Sequence, residues 1–121
     1  MNGLRIIRAA WEWFRELGLS NEPERKSRKL LRDWLSAEQR RRYDKYEYFE
    51  VVGSHTGRHY RIQNGKASNI TELDENGRAI MGWCFVPRDD LASGDVMLAQ
   101  KIALETDELS ALKIARGFPR W

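Results

Sequence analysis

Three side chains in the middle of this 121-residue chain carry atoms that thiol or metal chemistry could use: His55, His59 and Cys84. Zinc accepts imidazole nitrogen and thiolate sulfur, but a structural site wants four ligands in paired spacing. The sequence has a single cysteine, no C-x-x-C and no H-x-x-x-H placed on a helix. His59 therefore reads as a strand residue and His55 as a turn residue, and neither metal nor cofactor is expected. Cys84 could instead act as a nucleophile, activated by one of the histidines with Asp74 or Asp89 orienting the base, because thiol chemistry needs a stabilised thiolate. Flanked by Trp83 and Phe85 in MGWCFVP, it reads more simply as a buried small hydrophobe. Asp89, Asp90 and Asp95 precede the last helix without the spacing of a calcium loop. Asp95 is expected at the helix N-terminus, where free N–H groups favour a carboxylate, and Asp89-Asp90 in a turn. No Walker loop, dinucleotide fingerprint, G-x-S-x-G elbow or H-E-x-x-H is present, so enzyme activity is not expected.

Charge is the stronger signal. The net +3 divides into +5 over residues 1–45 and −2 over residues 46–121. Arg25, Lys26, Arg28, Lys29, Arg32, Arg40, Arg41 and Arg42 concentrate cations in two short predicted helices. Arginine makes bidentate contacts with phosphate, and the nearby Trp34, Tyr43 and Tyr46 could stack on bases if exposed. No RNP, helix-turn-helix or zinc-finger pattern accompanies them. The bland alternative is a solvated helix pair whose aromatics are buried.

These residues must be positioned by a fold that the hydrophobic pattern outlines. From Leu4 to Leu17 apolar residues take one half of a helical wheel and charged residues the other, predicting an amphipathic helix closed by Gly18. Its Trp11, Trp13 and Phe14 are expected to dock on the core or on a partner protein. Glu12 and Glu16 on its polar face argue against anionic lipid. A second helix is predicted from Pro23 to about Leu35. The Ser36 and Gln39 spacing makes a capping box that opens a third helix over Ala37–Asp44. The period then changes toward two. Strands are expected over Tyr48–Val52, Arg58–Gln63, Lys66–Leu73 and Arg78–Val86, with a two-residue turn at Asn64-Gly65. A buried helix follows from Ser93, as one piece or two around Thr106-Asp107-Glu108, and Gly117 and Pro119 terminate it.

The stretch from Tyr48 to Ala115, with YRIQNGKASNITELDENG, GWCFVP and GDVMLAQKIALETDE, resembles a group of short uncharacterised proteins of alphaproteobacteria and their phages. The resemblance implies a compact stand-alone module and transfers no catalytic or binding residue.

The expectation is thus one α+β domain over residues 1–121, with a basic helical segment (1–45), an antiparallel meander of three or four strands (46–88) and a C-terminal helical segment (89–121). The expected core is Ile7, Trp11, Phe14, Leu31, Trp34, Val51, Tyr60, Ile62, Trp83, Phe85, Leu98, Ile102 and Leu112. With no membrane-length apolar run and no secretion pattern, the expected location is the cytoplasm. The expected function is non-catalytic binding, by an adaptor module that presents basic helices to nucleic acid or to an acidic protein surface. One alternative is a structural subunit of an oligomer or phage-related assembly that uses the Trp-rich first helix. The other is a small thiol- or metal-dependent enzyme built on Cys84, His55 and His59.

Overall fold

A computed structural model describes residues 24–86 and 90–119. The predicted first helix, with Trp11, Trp13 and Phe14, lies outside the described residues, as does Asp89.

Helix α1 (Glu24–Trp34) and helix α2 (Ala37–Tyr46) precede strands β1 (Tyr48–Val52), β2 (His59–Gln63), β3 (Ile70–Leu73) and β4 (Ala79–Cys84). Helix α3 (Ser93–Ile114) leads into a final strand, β5 (Arg116–Pro119). The strands form one antiparallel sheet in the order β1-β2-β3-β4-β5. The α+β class and the meander are as expected. The strand count is not, because the sheet gains β5 from residues read as helix terminators. Gly117 makes this possible: a side chain there would meet Met81 Cε at 2.5 Å and the Trp83 ring at 3.0 Å. Gly82, facing Phe118 in the register, likewise leaves room for the Phe118 ring.

The two-residue turn expected at Asn64-Gly65 is also corrected. Gln63 N–H reaches Asn69 O at 2.8 Å, and β3 begins only at Ile70, so a longer loop joins β2 to β3. Asn69 explains the difference. Its buried amide donates to Gln63 O and exchanges reciprocal hydrogen bonds with Gln100 of α3, at 2.9 and 3.0 Å, while Gln100 Nε2 also reaches Phe85 O at 3.0 Å. Buried amides must be paired, and that pairing overrides the local turn preference.

The core lies between one sheet face and α1 with α3. Phe49, Val51, Tyr60, Ile62 and Ile70 meet Leu31, Leu35, Met97, Leu98 and Leu104 there. Of the expected core, Leu31, Val51, Tyr60, Ile62, Phe85 and Leu98 are buried, and Trp83, Ile102 and Leu112 pack partly buried against them. Trp34 is a correction, being 48% exposed. The buried line of this segment runs Ser27, Leu31, Leu35, and Trp34 stands at its margin.

Helices α1 and α3 meet closely at Gly94, where an added Cβ would lie 2.5 Å from the backbone of Ser27. Ala92, the residue capping α3, offers no side-chain acceptor. Glu24 of α1 replaces it, accepting from Ser93 N–H at 3.2 Å and from the Ser93 hydroxyl. The Ser93 hydroxyl is the main reason the Glu24 carboxyl is held below its ordinary range.

Helix α3 is broken at Asp107 (φ −154, ψ 67), so of the two expected forms it takes the second, two helical pieces that meet at a kink. Ser54, in the β1–β2 turn, stands where the helical bond between residues 108 and 104 would be. Its N–H donates to Leu104 O at 3.0 Å and its Oγ accepts from Glu108 N–H at 3.0 Å. The restarted helix is also capped by His55, whose Nδ1 accepts from Leu109 N–H at 3.2 Å.

Candidate functional site

The expected cationic residues are carried by α1 and α2. On α1, Arg25, Arg28, Lys29 and Arg32 fall within an arc of about 100° that flanks the buried line, since successive residues advance about 100° around a helix. Arg25, Lys26 and Lys29 are exposed, while Arg28 and Arg32 are half-buried. Arg32 grips Asp44 of α2 with a bidentate pair at 2.7 and 2.8 Å, and Arg40 Nε donates to Arg32 O at 3.0 Å, so the two helices are clasped at their junction. That pairing holds the Asp44 carboxyl below its usual value. Helix α2 opens with the expected capping box, Gln39 N–H to Ser36 Oγ at 3.2 Å and Ser36 N–H to Gln39 Oε1 at 3.0 Å. Gln39 also donates to Glu50 O at 2.8 Å, which pins α2 along the β1 edge.

Of the eight expected cations, Arg32 and Arg42 engage described carboxylates, Arg42 reaching Glu50 at 3.2 Å. Arg25, Lys29 and Arg41 project into solvent without an ion pair to a described carboxylate. Exposed pairs of the Arg42 kind are weak and exchange readily with a polyanion.

Sequence reasoning missed what adjoins these helices. Glu47 ends α2 in the left-handed conformation (φ 61, ψ 29), its N–H returning to Tyr43 O at 2.8 Å. This reversal lays Tyr46 against Tyr48, with ring centroids 5.4 Å apart and planes 14° from parallel. Arg61 on β2 is diagonal to Tyr48 in the register and sets its guanidinium 4.4 Å from the Tyr48 ring centre. Lys45 Nζ lies 5.1 Å from the Tyr46 ring centre. Glu50 faces Arg61 and is approached by Arg42, Arg61 and His59 Nδ1 at 3.2, 3.7 and 3.7 Å. A cationic and aromatic ladder thus runs from the end of α2 across β1 onto β2. Its only sequence signals are the Tyr46-x-Tyr48 spacing and the left-handed Glu47, a state that residue type does not announce. Of the aromatics expected to stack, Tyr46 is 52% exposed and Trp34 is also open, whereas Tyr43 is buried edge-on against Phe49. A groove of about 250 Å³ adjoins the ladder, lined by Ser36, Gln39, Arg42, Glu50 and His59 among others.

The thiol and imidazole constellation does not assemble. His59 pairs with Leu73 at one end of the sheet, while Cys84 lies at the other, beyond the Ile70–Trp83 pair. Cys84 is half-buried, with Ser68 N–H 3.4 Å from its Sγ. No group of three or more metal-ligating side chains occurs among the described residues. Ser54, His55 and Asp107 do stand in line, with Ser54 Oγ 3.3 Å from His55 Nδ1 and His55 Nε2 3.9 Å from Asp107. This geometry belongs to helix capping, because Ser54 Oγ and His55 Nδ1 each accept a backbone N–H of α3, so the ring nitrogen that faces Ser54 is already engaged as an acceptor. Asp95 is buried in the first turn of α3 and Asp90 lies in the exposed turn before it.

Of the buried acids Glu72, Asp95 and Glu108, the last serves the same junction. Its side chain is 0% exposed. Oε1 accepts from His55 and Thr56 N–H at 3.0 and 2.8 Å, and Oε2 accepts from the Thr56 and Tyr60 hydroxyls at 2.6 and 2.5 Å. Burial pushes its pKa up, but these four hydrogen bonds outweigh burial and hold it below the ordinary value. Tyr60 shifts the opposite way, upward, through burial and its bond to Glu108.

No family model, curated protein or solved structure matches this chain. Among the described residues no helix is long and apolar enough to cross a membrane.

Proposed function

We propose that this chain is a non-catalytic binding module whose helix pair α1–α2 docks on the phosphate backbone of nucleic acid. The observation that carries this reading is the outward cationic face: Arg25, Lys29 and Arg41 are solvent-exposed and unengaged by described carboxylates. Such side chains gain little from their own protein and much from a polyanion that releases condensed counterions on binding. The clasp between Arg32 and Asp44 holds both helices in one orientation, so the cations are presented as a fixed array.

The test is fluorescence anisotropy of labelled oligonucleotides of unrelated sequence over a range of salt, with the wild type and the Arg25→Gln/Lys29→Gln/Arg41→Gln variant. Binding should weaken steeply with salt, and the variant should lower the log–log salt slope by about 2 on single strands, roughly 0.7 for each lost phosphate contact. Salt-insensitive binding, or an unchanged slope in the variant, contradicts the proposal. An acidic protein surface is the competing occupant, and capture of a native partner that survives nuclease treatment, with no oligonucleotide binding, would favour it.

A further inference from the structure

The cationic helices alone would suit any nucleic acid, since phosphates line duplexes and single strands alike. The ladder beside them is more selective. Tyr46 is more than half open to solvent, yet its ring is held in place by stacking on Tyr48, which is itself backed by Arg61. The left-handed turn at Glu47 is anchored on both sides, by Glu47 N–H to Tyr43 O at 2.8 Å and by Asn64 N–H to Glu47 O at 2.9 Å. An exposed aromatic that is already ordered loses little entropy on binding a planar partner. Arg42 and Lys45 of α2 are exposed within one turn of it and Arg41 is exposed further back along the helix, where the phosphates flanking a stacked base would run. Base faces are buried within a duplex and open only in single strands, and stacking on tyrosine with arginine behind it is how single strands are held without sequence reading.

Resting on the reading of α1–α2 as a nucleic-acid face, we infer that the ligand is a single strand, one of whose bases stacks on Tyr46 while its backbone follows Arg41, Arg42 and Lys45. The guanidinium behind Tyr48 polarises the stack, and Lys45, in weak contact with the Tyr46 ring, is displaced toward a phosphate.

The experiment is anisotropy titration of a labelled oligothymidylate and of a duplex of equal length, at one salt concentration, with the wild type, Tyr46→Ala and Tyr46→Phe. Unfolding midpoints of the variants confirm that each is folded. The single strand should bind more tightly than the duplex. Tyr46→Ala should weaken single-strand binding by about tenfold with an unchanged salt slope, while Tyr46→Phe, which keeps the ring, should stay near wild type. Equal binding of the two forms with no loss in Tyr46→Ala overturns the inference and leaves the proposed function standing. Equal losses in Tyr46→Ala and Tyr46→Phe also overturn it, because stacking does not need the hydroxyl. Binding of neither form removes both the inference and the proposed function.

Discussion

Glu108 offers the sharpest test of how this fold is held, because its buried carboxylate joins the β1–β2 turn to the broken helix α3. Truncation by Glu108→Ala would strand the His55 and Thr56 amides and the buried Tyr60 hydroxyl. A buried donor left unpaired costs about 1–3 kcal/mol, and water entering the vacated space would recover part of this, so the expected loss is about 3 kcal/mol. Glu108→Gln should be milder, at about 1 kcal/mol, because the partners divide favourably. The oxygen that must remain an acceptor serves two backbone N–H groups, whereas the other meets two hydroxyls that can rotate to accept from an amide. The pH dependence follows from the depressed pKa. The folded carboxyl titrates below the unfolded value of 4.5, so its contribution is complete above that value and is lost as pH falls through the lower folded pKa. The gap between wild type and Glu108→Gln should therefore shrink on acidification. Urea unfolding read by tryptophan fluorescence gives these differences, and hydrogen exchange at the His55 and Thr56 amides reports the turn directly. A Glu108→Ala protein within about 1 kcal/mol of wild type, or a Gln variant as damaged as Ala, would refute the reasoning.

Further predictions follow from the same contacts. Gly53→Ala would put a Cβ 2.2 Å from the Glu108 carboxyl carbon, so it should cost about 1–3 kcal/mol in wild type and much less when residue 108 is Ala, a coupling that a double-mutant unfolding cycle measures. Gly94→Ala should lower stability by about 1–3 kcal/mol, since the Ser27 backbone it meets cannot swing aside as a side chain would; thermal unfolding checks it. Gln100→Ala, which removes the donor to Asn69 Oδ1 and to Phe85 O while Asn69 Nδ2 keeps Gln63 O, should cost about 1–3 kcal/mol in urea unfolding and speed exchange in the β2–β3 loop.

Local signals in the sequence were legible where they were self-contained. The Ser36 and Gln39 capping box needs only its own turn, and the alternation of Val51, Tyr60 and Ile62 needs only one covered face. The features that escaped depend on distant partners. Asn64-Gly65 satisfies a tight-turn rule, but the Asn69–Gln100 amide pair draws the loop out. Gly117 and Pro119 resemble a helix stop until β4 offers a neighbour with room at Gly82. The cationic residues could be named from composition alone, whereas the Tyr46–Tyr48–Arg61 stack arises from a non-glycine residue in the left-handed region and a diagonal cross-strand contact. Likewise, Ser54, His55 and Glu108 gain their roles only because the kink at Asp107 frees helical N–H and C=O groups for a turn more than fifty residues away in sequence.

The central claim, that α1 and α2 with the adjoining ladder form the nucleic-acid face, is tested most directly by amide chemical-shift mapping of the isotope-labelled protein during titration with a single-stranded oligonucleotide. The account predicts perturbations clustered at Arg25, Lys29, Arg41, Lys45, Tyr46 and Tyr48, with the Asp74–Gly77 turn and the end of α3 unmoved. Shifts concentrated in that turn or at the end of α3, with the basic helices silent, would contradict it.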